Sequence, residues 1–171
     1  VVHVRGDQVL RRGLDRIVDL RGIAPGEEAR RLAETTRKDP RLVELVLRES
    51  TAVVRAAPHV LITRHRSGHV MANAGIDRSN IGEHHGEAAL LLPVDADISA
   101  EQLRCGLAAR FGIAPAVVIS DSFGRPWRRG VTSVAIGASG MPSRLDKRGG
   151  QDRDGGPLGV TQTALGDMKA A

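Results

Sequence analysis

The chain has 171 residues, with 25 Lys and Arg against 20 Asp and Glu and a formal charge of +5. That length suits one ordinary domain or two small ones sharing a core, and it buries enough surface to fold without disulfide or structural metal. Cys105 is the only cysteine and no apolar run nears the ~20 residues of a membrane span, which excludes a disulfide framework and a spanning helix and favours a cytoplasmic setting.

The first predicted helix lies in "GIAPGEEARRLAETTRKDP": Pro25 suits a first turn, Glu27 and Glu28 the positive N-terminal end, Arg37 and Lys38 the far end. In "DPRLVELVLRES", Asp39 reads as an N-cap and Pro40 as the first helical residue. Leu42, Leu45, Val46 and Glu49 share a face that continues to Val53, which predicts a helix from Pro40 to about Arg55. "HVLIT" (59–63) and "GHVMAN" (68–73) read as strands joined by a polar turn, and "AALLLP" as a short strand ended by Pro93. "DISAEQLRCGLAARFG" is a second clear helix, with Ser99 and Gln102 at capping-box spacing and Gly112 as its stop. "AVVIS" (116–120) and "VTSVAIG" (131–137) are strands, the Gly-rich charged stretch after them a loop, and "VTQTALGDMKAA" the start of another element. Mixed helices and strands with hairpin-like neighbours predict an α+β or mixed α/β fold, not a regular βαβ array.

The basic balance favours an anionic partner. Phe111, Phe123 and Trp127 are the only aromatics, too few for the stacking platform of a single-strand nucleic-acid binder, so phosphorylated small molecules are favoured. Two stretches carry the chemistry. In "ANAGIDRSN" (72–80), Asp77 stands among small and polar residues that suit either a solvated turn or a ligand site. In "VVISDSFGRPWRRG", Asp121 follows a buried-type strand and precedes Ser122, Gly124 and the cations Arg125, Arg128 and Arg129. A carboxylate beside a hydroxyl supplies the hard oxygen ligands that Mg²⁺ or Mn²⁺ prefers, and guanidinium groups clamp phosphates. A turn-capping Asp121 with solvated arginines is the competing reading. His84 and His85 read as polar loop residues, and Cys105 as a small buried hydrophobe in mid-helix. There is no Walker A sequence and no GxGxxG, and no general acid or base stands out.

"KDPRLVELVLRES" (38–50), "ANAGIDRSN", "LLLPVDADISA" (90–100), "VVISDSFGRPWRRG" and "VAIGASGM" (134–141) together resemble the coenzyme F420:L-glutamate ligases, or γ-glutamyl ligases, from about Arg16 onward. The resemblance implies a mixed α/β fold assembled as an intertwined homodimer, with no nucleic-acid or membrane partner. It implies a GTP-dependent, divalent-metal-dependent enzyme that adds L-glutamate to coenzyme F420-0 and then extends a γ-linked chain. By resemblance, Asp77 and Asp121 fall on metal-binding aspartates, Ser122 on a metal-binding Thr, and Asn80 on a nucleotide-contacting Asn. Arg12, in "VLRRGLDR" (9–16), stands where the family has a nucleotide-binding Lys. Residues 1–171 are expected to form one ligase-family domain, truncated at both ends, whose first fifteen residues match poorly. The alternative is a catalytically inactive remnant that binds deazaflavin or nucleotide.

Overall fold

Local signals at Asp39 and Pro40 produce the helix that organises the better-packed part of the molecule. The Asp39 carboxylate accepts the Arg41 backbone N–H at 2.8 Å, and Pro40 occupies the first turn, where it has no hydrogen bond to lose. The computed structural model describes residues 2–5, 16–78, 87–124 and 129–170. Those residues form, in order, β1 (Val2–Arg5), β2 (Ile17–Asp19), α1 (Glu27–Thr36), α2 (Pro40–Arg48), β3 (Ser50–Ala57), β4 (Val60–His65), β5 (Val70–Ala72), β6 (Ala88–Leu90), α3 (Ala96–Phe111), β7 (Val117–Gly124), β8 (Val131–Ser139), β9 (Leu145–Asp146), β10 (Gln162–Thr163) and α4 (Leu165–Ala170). The chain divides into two compact units. One comprises residues 10–93 and 123–130, the other 1–9, 94–122 and 131–171.

In the 10–93 unit, α1 and α2 pack on each other and on β3. The antiparallel sheet β3-β4-β5 is accompanied by the antiparallel pair β2-β6. Leu20, Val43, Val46, Leu61, Ala74, Ile76 and Leu91 share one buried apolar cluster. β4 alternates cleanly: Leu61, Thr63 and His65 face inward, while Val60 and Arg64 are exposed. The predicted extension of α2 to Arg55 is incorrect. The helix stops at Arg48 and the chain becomes β3, pairing Val53 with Thr63 and Arg55 with Ile62. Thr51, Val53 and Val54 are β-branched and suit a pleated strand, so pairing with β4 overrides the apparent helical period.

In the 94–171 unit, β1-β7-β8 form a sheet in which β1 runs parallel to β7, and α3 and α4 both pack on β8. Gly137 permits that approach: a Cβ there would lie 2.4 Å from the Ala96 carbonyl carbon. The helix α3 is capped by Asp95, whose Oδ1 accepts the Ile98 N–H at 2.9 Å. Ser99, predicted as the cap, is buried inside the helix and donates its hydroxyl to the Asp95 carbonyl at 2.8 Å. Cys105 is exposed, not buried. Its thiol donates to Glu101 Oε1 at 3.3 Å, and that contact pushes its pKa up. The predicted loop after β8 contains β9, which pairs antiparallel with β10 in the element that follows the loop. No helix among the described residues is long and apolar enough to cross a membrane.

Candidate metal and nucleotide site

The backbone of Asp77 is held by the turn that precedes it and by a bridge to Leu90. After β5 the chain makes a tight turn in which three successive residues are left-handed: Asn73 (φ 50°), Ala74 (φ 52°) and Gly75 (φ 71°). Left-handed backbone is routine for Gly and tolerable for Asn but costs about 1 kcal/mol at Ala, so the surroundings must enforce it. They do so at two points. Ala74 is fully buried in the core, and a Cβ on Gly75 would sit 2.6 Å from Leu92 Cδ1. Ile76 then plugs into the same core, and Asp77 forms a two-bond bridge with Leu90: N–H to O at 3.0 Å and the return bond at 2.8 Å. The alternation leaves the Asp77 carboxylate exposed.

Beside this bridge lies an ionic group that the sequence reading missed. Arg41 folds back on Asp39 with Nε–Oδ1 at 3.1 Å and Nη2–Oδ2 at 2.7 Å, and its Nη1 donates to Glu87 Oε2 at 3.0 Å. Arg78 reaches within 4.0 Å of the same Asp39 oxygen. The Arg41 hydrogen bonds hold the Asp39 carboxyl below its usual range. A second polar group sits deeper. Arg16 forks onto the buried Glu49 at 2.7 and 2.9 Å and donates to the Leu92 carbonyl at 2.9 Å. His65 Nδ1 accepts the Ser67 N–H at 3.0 Å, so the neutral ring carries its proton on Nε2, 3.8 Å from Glu49. Burial pushes the His65 pKa down. The signal for this group was an acidic residue, Glu49, on an otherwise apolar helix face.

Asp121 and Ser122 belong to the other unit. The expected loop there is strand: β7 runs on through Gly124. Val117, Val118 and Ile119 are buried, and the strand emerges from the core at Ser120, leaving Asp121 half-buried and Ser122 exposed. Asp121 Oδ1 accepts the N–H of Ser122 at 2.7 Å. Of the predicted site residues, then, Asp121 and Ser122 are neighbours on one strand and Asp77 stands on the other unit. Asn80, Arg12, Arg125 and Arg128, like His84 and His85, lie outside the described residues. Among the described residues no three His, Cys, Asp or Glu side chains cluster as metal ligands. Asp77 in one unit and the Asp121–Ser122 pair in the other each offer oxygen donors of the kind a hard divalent cation prefers.

The model of the F420-0:gamma-glutamyl ligase family matches residues 6–171. The chain is 46% identical over 155 residues to a coenzyme F420:L-glutamate ligase of Methanopyrus kandleri, covering 91% of this chain and 60% of the relative. It is 39% identical over 170 residues to the one of Methanothermobacter thermautotrophicus, covering 99% and 66%. With the one of Halobacterium salinarum the figures are 47% over 147 residues, 85% and 55%. The chain thus spans about three-fifths of the length of these curated relatives. With its Asp77 and Asp121 segments inside the matched span, the chain belongs to the F420-0:gamma-glutamyl ligase family.

Proposed function

We propose that this chain is the core of a GTP- and divalent-metal-dependent ligase that joins L-glutamate to coenzyme F420-0. The family match over residues 6–171 carries the reading. The exposed Asp77 and the Asp121-Ser122 pair support it as oxygen donors of the right kind. In the reaction, a carboxylate oxygen of the acceptor attacks the γ-phosphorus of GTP, and the bond to the bridging oxygen breaks, releasing GDP. The glutamate amine then attacks the acyl carbon of the resulting acyl phosphate. Inorganic phosphate leaves with the bonding pair, and the new amide nitrogen loses its proton. Mg²⁺ or Mn²⁺, when bound by Asp77, Asp121 and Ser122, would neutralise phosphate charge and polarise the group being transferred. Asn80 and Arg12 are the residues proposed to hold the nucleotide, and Arg125 and Arg128 to clamp phosphate or substrate.

Incubation with Mn²⁺, GTP, L-glutamate and F420-0 should yield glutamylated product, GDP and phosphate in equal amounts. Asp77→Asn and Asp121→Asn should each lower the rate at least ~100-fold, the size of loss expected when stabilisation of the charge on the transferring phosphoryl group is weakened. Full turnover in both variants ends the metal assignment. Nucleotide or deazaflavin binding without turnover in the wild-type chain favours the inactive-remnant reading.

The same reading includes a homodimer. It is supported by β3, whose residues Thr51 to Arg55 are all exposed, and by the neighbouring apolar Val53, Val54, Val60 and Val70 on this sheet. Sedimentation should give a dimer that Val54→Arg weakens; a monomeric wild-type chain rejects it.

A further inference from the structure

The contacts of the Asp39–Arg41 group extend beyond the start of α2 to Glu87 and Arg78. Asp39 is fixed by its hydrogen bond to the Arg41 N–H, and α2 is anchored through Leu42, Val43, Leu45 and Val46 in the core. The Arg41 guanidinium is planar and presents its donors in a fixed fork. With Nε and Nη2 committed to Asp39, Nη1 has one direction left, and it meets Glu87. Glu87 leads directly into β6, whose Leu90 bridges Asp77, and its carbonyl accepts the Leu20 N–H at 2.7 Å. Arg78, the residue after Asp77, is drawn to the same Asp39 oxygen. Both strands of the Asp77–Leu90 bridge therefore end on one ion-paired group. These side chains are partly exposed, where an ion pair adds little to stability, so their value lies in direction.

We propose that Asp39 and Arg41 are positioning residues for Asp77: by holding Glu87 and Arg78 together they fix the Asp77–Leu90 bridge and thereby the direction in which the Asp77 carboxylate is presented to a divalent cation. This rests on the reading above that Asp77 is a metal ligand. Carboxylates held by a second layer of hydrogen bonds bind metal more tightly than unrestrained ones, typically by ~10–100-fold.

The test is Mn²⁺ binding to this chain, followed by the electron paramagnetic resonance of free Mn²⁺, with amide hydrogen exchange measured on the same samples. Asp39→Asn keeps an oxygen to cap α2 but removes the shared charge, and Arg41→Gln removes the fork. Each should weaken Mn²⁺ binding by about 10-fold. Each should also speed exchange of the Asp77 and Leu90 amides by about 10-fold while that of Val46, inside α2, is unchanged. Arg41→Lys, which keeps the charge but not the fork, should not restore binding. Wild-type Mn²⁺ affinity in Asp39→Asn and Arg41→Gln overturns the proposal, whether or not exchange speeds up, because the group would then be structural only. Asp77→Asn separates the two ideas: if it binds Mn²⁺ as tightly as the wild type, the metal reading fails and the positioning role falls with it.

Discussion

The 10–93 unit gathers thirteen buried apolar side chains into one cluster, where the 94–171 unit gathers Ala100, Val117 and Ile119 among its described side chains. The second unit compensates with polar ties. Asp97 accepts the Ala138 N–H at 2.8 Å, Asp167 the Ala135 N–H at 2.9 Å, and Glu101 is bound by Arg104 at 2.7 and 2.8 Å and by the Ser139 hydroxyl. The Asp97, Asp167 and Glu101–Ser139 bonds tie α3 and α4 to β8, while Arg104 holds the Glu101 carboxylate from within α3. Apolar burial is non-directional and tolerates small shifts, whereas a carboxylate on a strand N–H fixes one register. The unit carrying Asp77 is therefore held by volume, and the unit carrying Asp121 by direction.

This contrast can be broken most forcefully at Leu61, which is 1% exposed. Leu61→Ala should cost about 3 kcal/mol by urea denaturation, because the cavity cannot collapse among so many fixed neighbours. A loss below about 1 kcal/mol would mean that the 10–93 core is loosely packed. A smaller effect is expected in the other unit from Asp95→Ala, which uncaps α3 and should cost about 1 kcal/mol, with Asp95→Ser restoring most of it. Equal stability of the Ala variant would show that the polar ties around α3 act without its cap.

Acid should distinguish the units most gently. Burial favours the neutral His65 ring, lowering its pKa from the usual 6.5, so its contribution is complete above pH 6.5. That contribution is lost as the pH falls toward the folded pKa, because the unfolded chain takes the proton first. Glu101 is pushed down to about 2 by hydrogen bonds from Arg104, Ser139 and Cys105, so its contribution is complete above pH 4.5 and is lost between there and about pH 2. Residue-resolved hydrogen exchange should show the 10–93 unit weakening first. His65→Gln should abolish the step that begins near 6.5, and Glu101→Gln should flatten the later one in the 94–171 unit. Simultaneous weakening of both units in the wild type would contradict the assignment.

The sequence was most readable where one residue decides a local conformation. Asp39, Pro40, Gly112 and the β-branched "VVIS" each specify their element without help from distant residues. It was least readable where pairing decides. β2 is three residues long and is a strand because β6 lies beside it, and Ser50 to Val54 are strand because β4 offers partners. The candidate site divides in the same way. The carboxylates of Asp77 and Asp121 announce themselves by their polar settings, but the Asp39–Arg41–Glu87 group joins residues more than forty positions apart. The left-handed Ala74 is likewise invisible from composition, since only the packed core makes that backbone acceptable.

β1 pairs in parallel with β7, matching Val2 to Val117 through Arg5 to Ser120. During synthesis, the first strand must therefore wait on the ribosome-emerging chain until residue 120 is clear of the exit tunnel. Most of the 10–93 unit can close meanwhile from contiguous sequence, so the order of translation builds the Asp77 side before the sheet that bears Asp121 has both its neighbours.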